Sequence, residues 1–313
     1  MRTSLVSTIV LGMIGLAAAG CSSTDDGALG AQRAADAGAA ESGGAATNSD
    51  DGATTSSGGA DAEAGATLPP VRFKIQLDYR YDRAGFFTDP IRKQALEGAC
   101  RIWGRLISDS FANVPKDTFI KVRDPEKPTE PAVALNIEYE IDDLLVFVGS
   151  ADLPSGVTGT SAPTAGLSGV ADAQLASALD QRFNGAVFQP WTAWITFDTT
   201  TSFHFDPGPE LGTAVPAGKI DFVSVALHEL GHVLGFGTAE TFKSKIVNKA
   251  FTGTKAQALF GGPLPLTSDL AHVPNANATG TRRMLMDQSD SAGVRYLPSP
   301  LDLAALEDLG LHF

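Results

Sequence analysis

The chain has 313 residues, 36 acidic and 23 basic, and a net charge of −13. Residues 1–68 hold 8 acidic and 2 basic residues, leaving 28 and 21 in the remainder, so the folded part is acidic and has no basic stripe. That balance argues against nucleic acid as a partner.

Met1-Arg2, an apolar run from Leu5 to Ala19 and then Gly20-Cys21 predict a signal peptide over residues 1–20. Leu16-Ala17-Ala18-Ala19-Gly20-Cys21 also resembles a bacterial lipoprotein signal, in which cleavage before the cysteine leaves Cys21 to be acylated. An ordinary cleaved signal, with secretion, is the alternative. Residues 22–68 are almost entirely Ala, Gly, Ser, Thr, Asp and Glu, and bury too little apolar surface to offset their ordering entropy. Residues 21–68 therefore read as a lipidated cysteine and a disordered tether spanning roughly 40 Å. The expected location is the bacterial cell envelope, with the membrane as a partner through the lipid and the folded part a monomer. Lipidation of Cys21 leaves only Cys100, so no internal disulfide is expected.

Residues 69–313 suit one domain. Val71, Phe73, Ile75, Leu77, Tyr79 and Tyr81 alternate with polar residues, the period of a half-buried strand. Asp89-Pro90 reads as a helix N-cap and first position, and apolar residues around Cys100 recur at helical spacing to about Ser108, which makes Cys100 a small core residue. Phe119–Val122, Leu135–Ile141 and Leu144–Val148 read as strands, residues 150–170 as a long Gly/Ser/Thr/Pro loop, and 171–183 as a short helix. Trp191, Trp194, Ile195 and Phe197 form an aromatic strand. His204, between aromatics, reads as a packed or surface residue.

Asp221 caps the most informative helix, which carries His228-Glu229-Leu230-Gly231-His232. Histidines four apart lie on one helical face and can reach one ion, while Glu229 projects to the rim of that face as candidate general base for a metal-bound water. Gly235 and Gly237 turn the chain sharply beside the metal. An insertion over 239–270 leads to Asp269 and His272, and then to Met284-Leu285-Met286-Asp287. Ser299-Pro300 opens a C-terminal helix with Asp302 at its third position, and Gly310 closes it.

The extended pattern His-Glu-x-x-His-x-x-Gly resembles the metzincin metallopeptidases, and the order that follows it is similar to that of their leishmanolysin-like and matrixin-like members with a long insert. The likeness is specific over 221–313 and extends to 71–220 only in element order. Metzincins continue with a third histidine where this chain has Thr238, a poor zinc ligand. Either the site has two ligands or the third comes from elsewhere in the chain. His272 is the preferred candidate, because a methionine turn at Met286 follows it in the family's order. Glu240, Asp269, His204 and His312 are the competitors, and Met284 is the alternative turn residue.

The resemblance implies an α+β, two-lobe fold: a mixed twisted sheet with an active-site helix above the cleft (about 69–236) and a small irregular lower lobe ending in a helix (about 237–313). It implies Zn2+ as cofactor, a peptide or protein substrate, and endopeptidase activity with Glu229 as base and acid. It gives the aromatic strand a choice between rim of the cleft and plain core, and Cys100 the further option of a latent zinc thiolate. The rival function is a surface binding or adhesion module that keeps zinc as a staple.

Overall fold

Asp89 accepts a hydrogen bond from Ile91 N (2.9 Å) and Pro90 needs no N–H partner, so the first long helix, α1, runs over Pro90–Leu106 as its spacing predicts. Its inner face buries Leu96, Ala99, Cys100 and Trp103, and the Trp103 indole donates to Leu227 O (3.0 Å). That bond ties α1 to α3 (Phe222–Val233), the helix bearing both motif histidines. Asp221 caps α3 by accepting from Ser224 N (3.0 Å) and forms an ion pair with Arg295 (2.8 Å).

The computed structural model describes residues 19–23, 68–164, 166–170, 172–274 and 283–313. The signal-peptide reading over 1–18 and the tether reading over 24–67 lie outside the described residues. The architecture is α+β around a mixed six-stranded sheet. Its strands are β1 (Ala19–Ser23), β2 (Ile75–Asp78), β5 (Leu144–Ala151), β6 (Val157–Pro163), β8 (Thr192–Asp198) and β14 (Ser289–Asp290), in the spatial order β14-β1-β6-β8-β5-β2. The pairs β2–β5 and β5–β8 are parallel, whereas β6 runs antiparallel to both β8 and β1. Two small sheets form beside it, one from β3 (Thr118–Val122), β4 (Val133–Ile137) and β7 (Gly166–Leu167), the other from β9 (Phe203–His204) and β10 (Ile220–Asp221). The second helix, α2 (Ala173–Asn184), follows β7 and is capped by Asp172.

Two sequence-based expectations change, and one open choice is decided. The first strand is shorter than its alternation, because Arg72 N and Phe73 N bond to Gly104 O instead of a neighbouring strand, and a turn closed by Asp82 N to Tyr79 O ends it. The stretch expected to be a loop over 150–170 contains β6, the strand nearest α3. The aromatic strand β8, which the sequence left open between cleft rim and core, lies between β6 and β5 with all its residues buried and is core.

The insertion folds as α4 (Glu240–Lys243), β11 (Ile246–Val247), β12 (Ala250–Phe251), α5 (Thr254–Phe260) and β13 (Leu264–Pro265). Phe242 stacks on Phe251 with ring centroids 4.2 Å apart, and Asp308 accepts from Lys255 N and Ala256 N at the start of α5 (both 2.9 Å). The chain closes with α6 (Pro300–Glu307), which has the expected capping box between Ser299 and Asp302. Every helix among the described residues belongs to one compact unit with residues 70–313. No helix among the described residues is long and apolar enough to cross a membrane.

Candidate metal centre

α3 places His228 and His232 one turn apart, with Nε2 atoms separated by 3.0 Å. His272 Nε2 lies 3.1 Å from His232 Nε2, and the three rings form a buried cluster that could hold a metal ion. A sharp turn after α3 makes this convergence achievable. Gly237, at φ 72°, passes so close to Ala271 that a Cβ there would lie 2.6 Å from the Ala271 Cα. No other residue fits, and the contact brings the distant His272 segment beside the helix.

Each imidazole is oriented by its other nitrogen. His228 Nδ1 donates to Leu285 O (2.9 Å), His232 Nδ1 to Phe236 O (2.8 Å) and His272 Nδ1 to Asp269 Oδ2 (2.7 Å). Backbone carbonyls only accept, so the protons of His228 and His232 sit on Nδ1. Asp269 acts the same way, because the hydrogen bonds from His272, Thr267 and Ala271 outweigh its burial and hold it below the usual carboxylate range. Burial, reinforced by the neighbouring imidazoles, lowers the pKa of His228 to about 3 and that of His232 well below its ordinary value. The Nε2 atoms of His228 and His232 therefore present lone pairs 3.0 Å apart, with His272 Nε2 3.1 Å from the second. A cation resolves that repulsion, and oriented neutral imidazoles are the ligands it needs.

Glu229 is fully buried, and neither carboxylate oxygen has a hydrogen-bond partner. Burial pushes its pKa well above the ordinary carboxylate value, and nearby Asp290 adds to the effect. Its backbone carbonyl accepts from Ser161 Oγ (2.9 Å), which fastens β6 to α3 beside the site.

Met286 packs under the same helix, where a Cβ on Gly231 would lie 2.4 Å from its sulfur. The Met286 turn is zipped to the His272 segment by Val273 N to Met286 O (3.0 Å) and Gln288 N to Val273 O (3.2 Å). From the other side Asp302 accepts from Leu285 N (2.9 Å) and Met286 N (3.1 Å). Met284 is buried core.

The competing ligands fall elsewhere. Thr238 Oγ1 donates to the His232 carbonyl, and Glu240 pairs with Lys243 (2.9 Å). His312 pairs with Asp109 (2.8 Å), His204 lies on β9, and the Cys100 thiol is buried along α1 with its pKa pushed up to about 12 by desolvation. Asp269 holds a ligand and is not itself in the cluster. Cys21 lies in β1 with its backbone paired to Gly159. Sequence reasoning missed Asp302, read there only as a helix residue, and Ser161, which sat in the presumed loop. Neither carries a local signal, because both act through tertiary contacts.

No family model matches the chain, and no curated protein matches it in sequence.

Proposed function

We propose that the chain is a zinc-dependent endopeptidase of metzincin type, lipid-anchored through Cys21 on the bacterial cell envelope. The observation that carries the reading is the pairing of three converging Nε2 donors with a buried, unpartnered carboxylate on Glu229, between the two histidines that α3 supplies. Tetrahedral ligands at the usual zinc–nitrogen distance lie about 3.3 Å apart, close to the 3.0 and 3.1 Å separations here, and three imidazoles with one open position suit a catalytic ion. A zinc ion held there supplies Lewis acidity, polarising a carbonyl and making water more acidic.

The chain's own residues do the rest. Glu229, its pKa raised by burial, takes a proton from the attacking water and returns it to the departing amine as the peptide bond breaks. Leu285 O, Phe236 O and Asp269 keep the imidazoles aimed, and Ser161 of β6 holds the Glu229 backbone beside them. A purely structural zinc staple would leave the buried Glu229 carboxylate without a purpose and its desolvation uncompensated.

The test is hydrolysis of an unstructured protein with and without a chelator, beside Glu229→Ala. The substitution should keep the metal and lower hydrolysis at least ~10²-fold. Full activity in metal-loaded Glu229→Ala would exclude the mechanism.

A further inference from the structure

A cavity of about 300 Å³ opens at the carboxyl ends of β5 and β8, which run parallel, a common position for ligands in such sheets. That volume is at the lower end for small-molecule sites. Its walls are the rings of Phe86, Phe203 and Phe205. Phe203 and Phe205 back onto Phe222, the first residue of α3, with ring centroids 5.4 and 4.8 Å away. His228 lies about 9 Å further along that helix axis, and no residue of the histidine cluster lines the cavity. The polar groups here are incompletely used. Ser150, 3 % exposed, lines the cavity, and its Oγ has no hydrogen-bond partner. The guanidinium of Arg92, also on the lining, lies over the rings of Phe86 and Phe205 (4.3 and 5.2 Å to the centroids), which holds it in place. Its Nε has no hydrogen-bond partner, Nη1 reaches only Phe86 O at 3.4 Å, and the Asp89 carboxylate stands 3.7 Å from Nε. Buried donors left in this way carry a desolvation cost that an acceptor in the cavity would remove.

We propose that this cavity binds a small monocarboxylate with an aromatic body. Arg92 is the one charged side chain on the lining, and no carboxylate shares it, so the site selects an anion. A guanidinium fork matches the two oxygens of a carboxylate, and the Ser150 hydroxyl is a further donor. The three phenylalanine rings favour a ligand that buries a ring of its own over a fully hydrated ion such as phosphate. Neither the metal centre nor Glu229 takes part, so the site stands whether or not the peptidase reading does.

The experiment titrates phenylacetate into the full chain by calorimetry, beside its neutral analogue phenylacetamide and inorganic phosphate. Phenylacetate is then titrated into Arg92→Met and Ser150→Ala, each checked for folding by circular dichroism. One saturable site is expected for phenylacetate, with a dissociation constant on the order of 1 mM or tighter, as suits so small a ligand. Replacing it by phenylacetamide or phosphate, or replacing Arg92 by Met, should weaken binding at least about tenfold, the loss of a charge-assisted hydrogen bond, and Ser150→Ala should weaken it about fivefold. If Arg92→Met does not fold, Ser150→Ala and the phenylacetamide comparison decide. No saturation by about 20 mM phenylacetate overturns the proposal. Equal binding of phenylacetamide overturns the anion, and equal binding of phosphate overturns the aromatic body. Phenylacetate affinity unchanged in both variants puts the ligand elsewhere, the metal centre included, and overturns the site.

Discussion

His272 and Asp269 differ by three positions and by role. Asp269 touches Nδ1 of His272, so its loss should loosen the ring without removing a donor. Asp269→Ala is expected to weaken zinc binding about 10–100-fold, as outer partners of metal ligands do. His272→Ala should weaken it far more, and Glu240→Ala, whose partner is Lys243, should leave it unchanged. A metal titration of the three variants checks the order, and collapse in Glu240→Ala alone would move the site to a carboxylate ligand. The same histidines set an acid limit. Unfolded histidine protonates near roughly 6.5, whereas His228 in the fold resists to about 3. The unfolded chain therefore binds more protons between these values. The stability that neutral His228 and His232 contribute is present above pH 6.5 and is lost as pH falls toward 3. Urea midpoints of the metal-free protein should be flat from pH 7 to 8 and fall steadily below about 6.5. A midpoint that rises on acidification would contradict the buried, neutral cluster.

Elements whose cause is local were legible in the sequence. The motif helix, its Asp221 cap, the Asp89-Pro90 start of α1 and the Ser299 capping box each follow from residues within one turn. Strand β6, the strand nearest the motif helix, was not legible. Its sequence, Val-Thr-Gly-Thr-Ser-Ala-Pro, has neither alternation nor bulky β-formers, and it is a strand because β8 pairs with one side and α3 covers it. His272 was preferred because imidazole suits zinc and because a methionine turn follows it, while what delivers it is a Gly237–Ala271 contact no spacing rule describes. Asp302 belongs to the same class. It sits in α6 as a capping residue, yet its carboxylate holds Leu285 N and Met286 N, and Leu285 O in turn holds His228. Asp302→Ala leaves buried N–H groups of the methionine turn unpaired, each worth about 1–3 kcal/mol. The variant should unfold at lower urea by about 3 kcal/mol or more and bind zinc more weakly. Wild-type affinity in the folded variant would disconnect α6 from the metal ligands.

At the scale of the whole molecule, anchoring and chemistry are separable. On the proposed lipoprotein reading, a flexible tether over residues 22–68 would leave the domain able to work clear of lipid head groups, and several acyl chains on Cys21 would hold it firmly where one chain would not. Cys21→Ser should release intact protein into the culture medium without touching the histidine cluster. Fractionation with lipid analysis checks this, and unchanged partition with no lipid on the wild type would refute the anchor.

His232 and His272 meet across 40 residues. For a flexible chain, closing such a loop costs about 3 kcal/mol in the length-dependent part of its entropy, and each doubling adds only about 0.6 kcal/mol. The contacts that close it lie at its two ends, in the Gly237–Ala271 approach and the Val273–Met286 pairing, and none depends on how many residues lie between. Apart from the start of α5, which Asp308 docks, the intervening segment can thus lengthen or shrink over generations while both ends keep their geometry. A fixed spacing to the third histidine would then be a property of particular lineages, and the durable signature would be a small residue just after the helix and another just before the histidine.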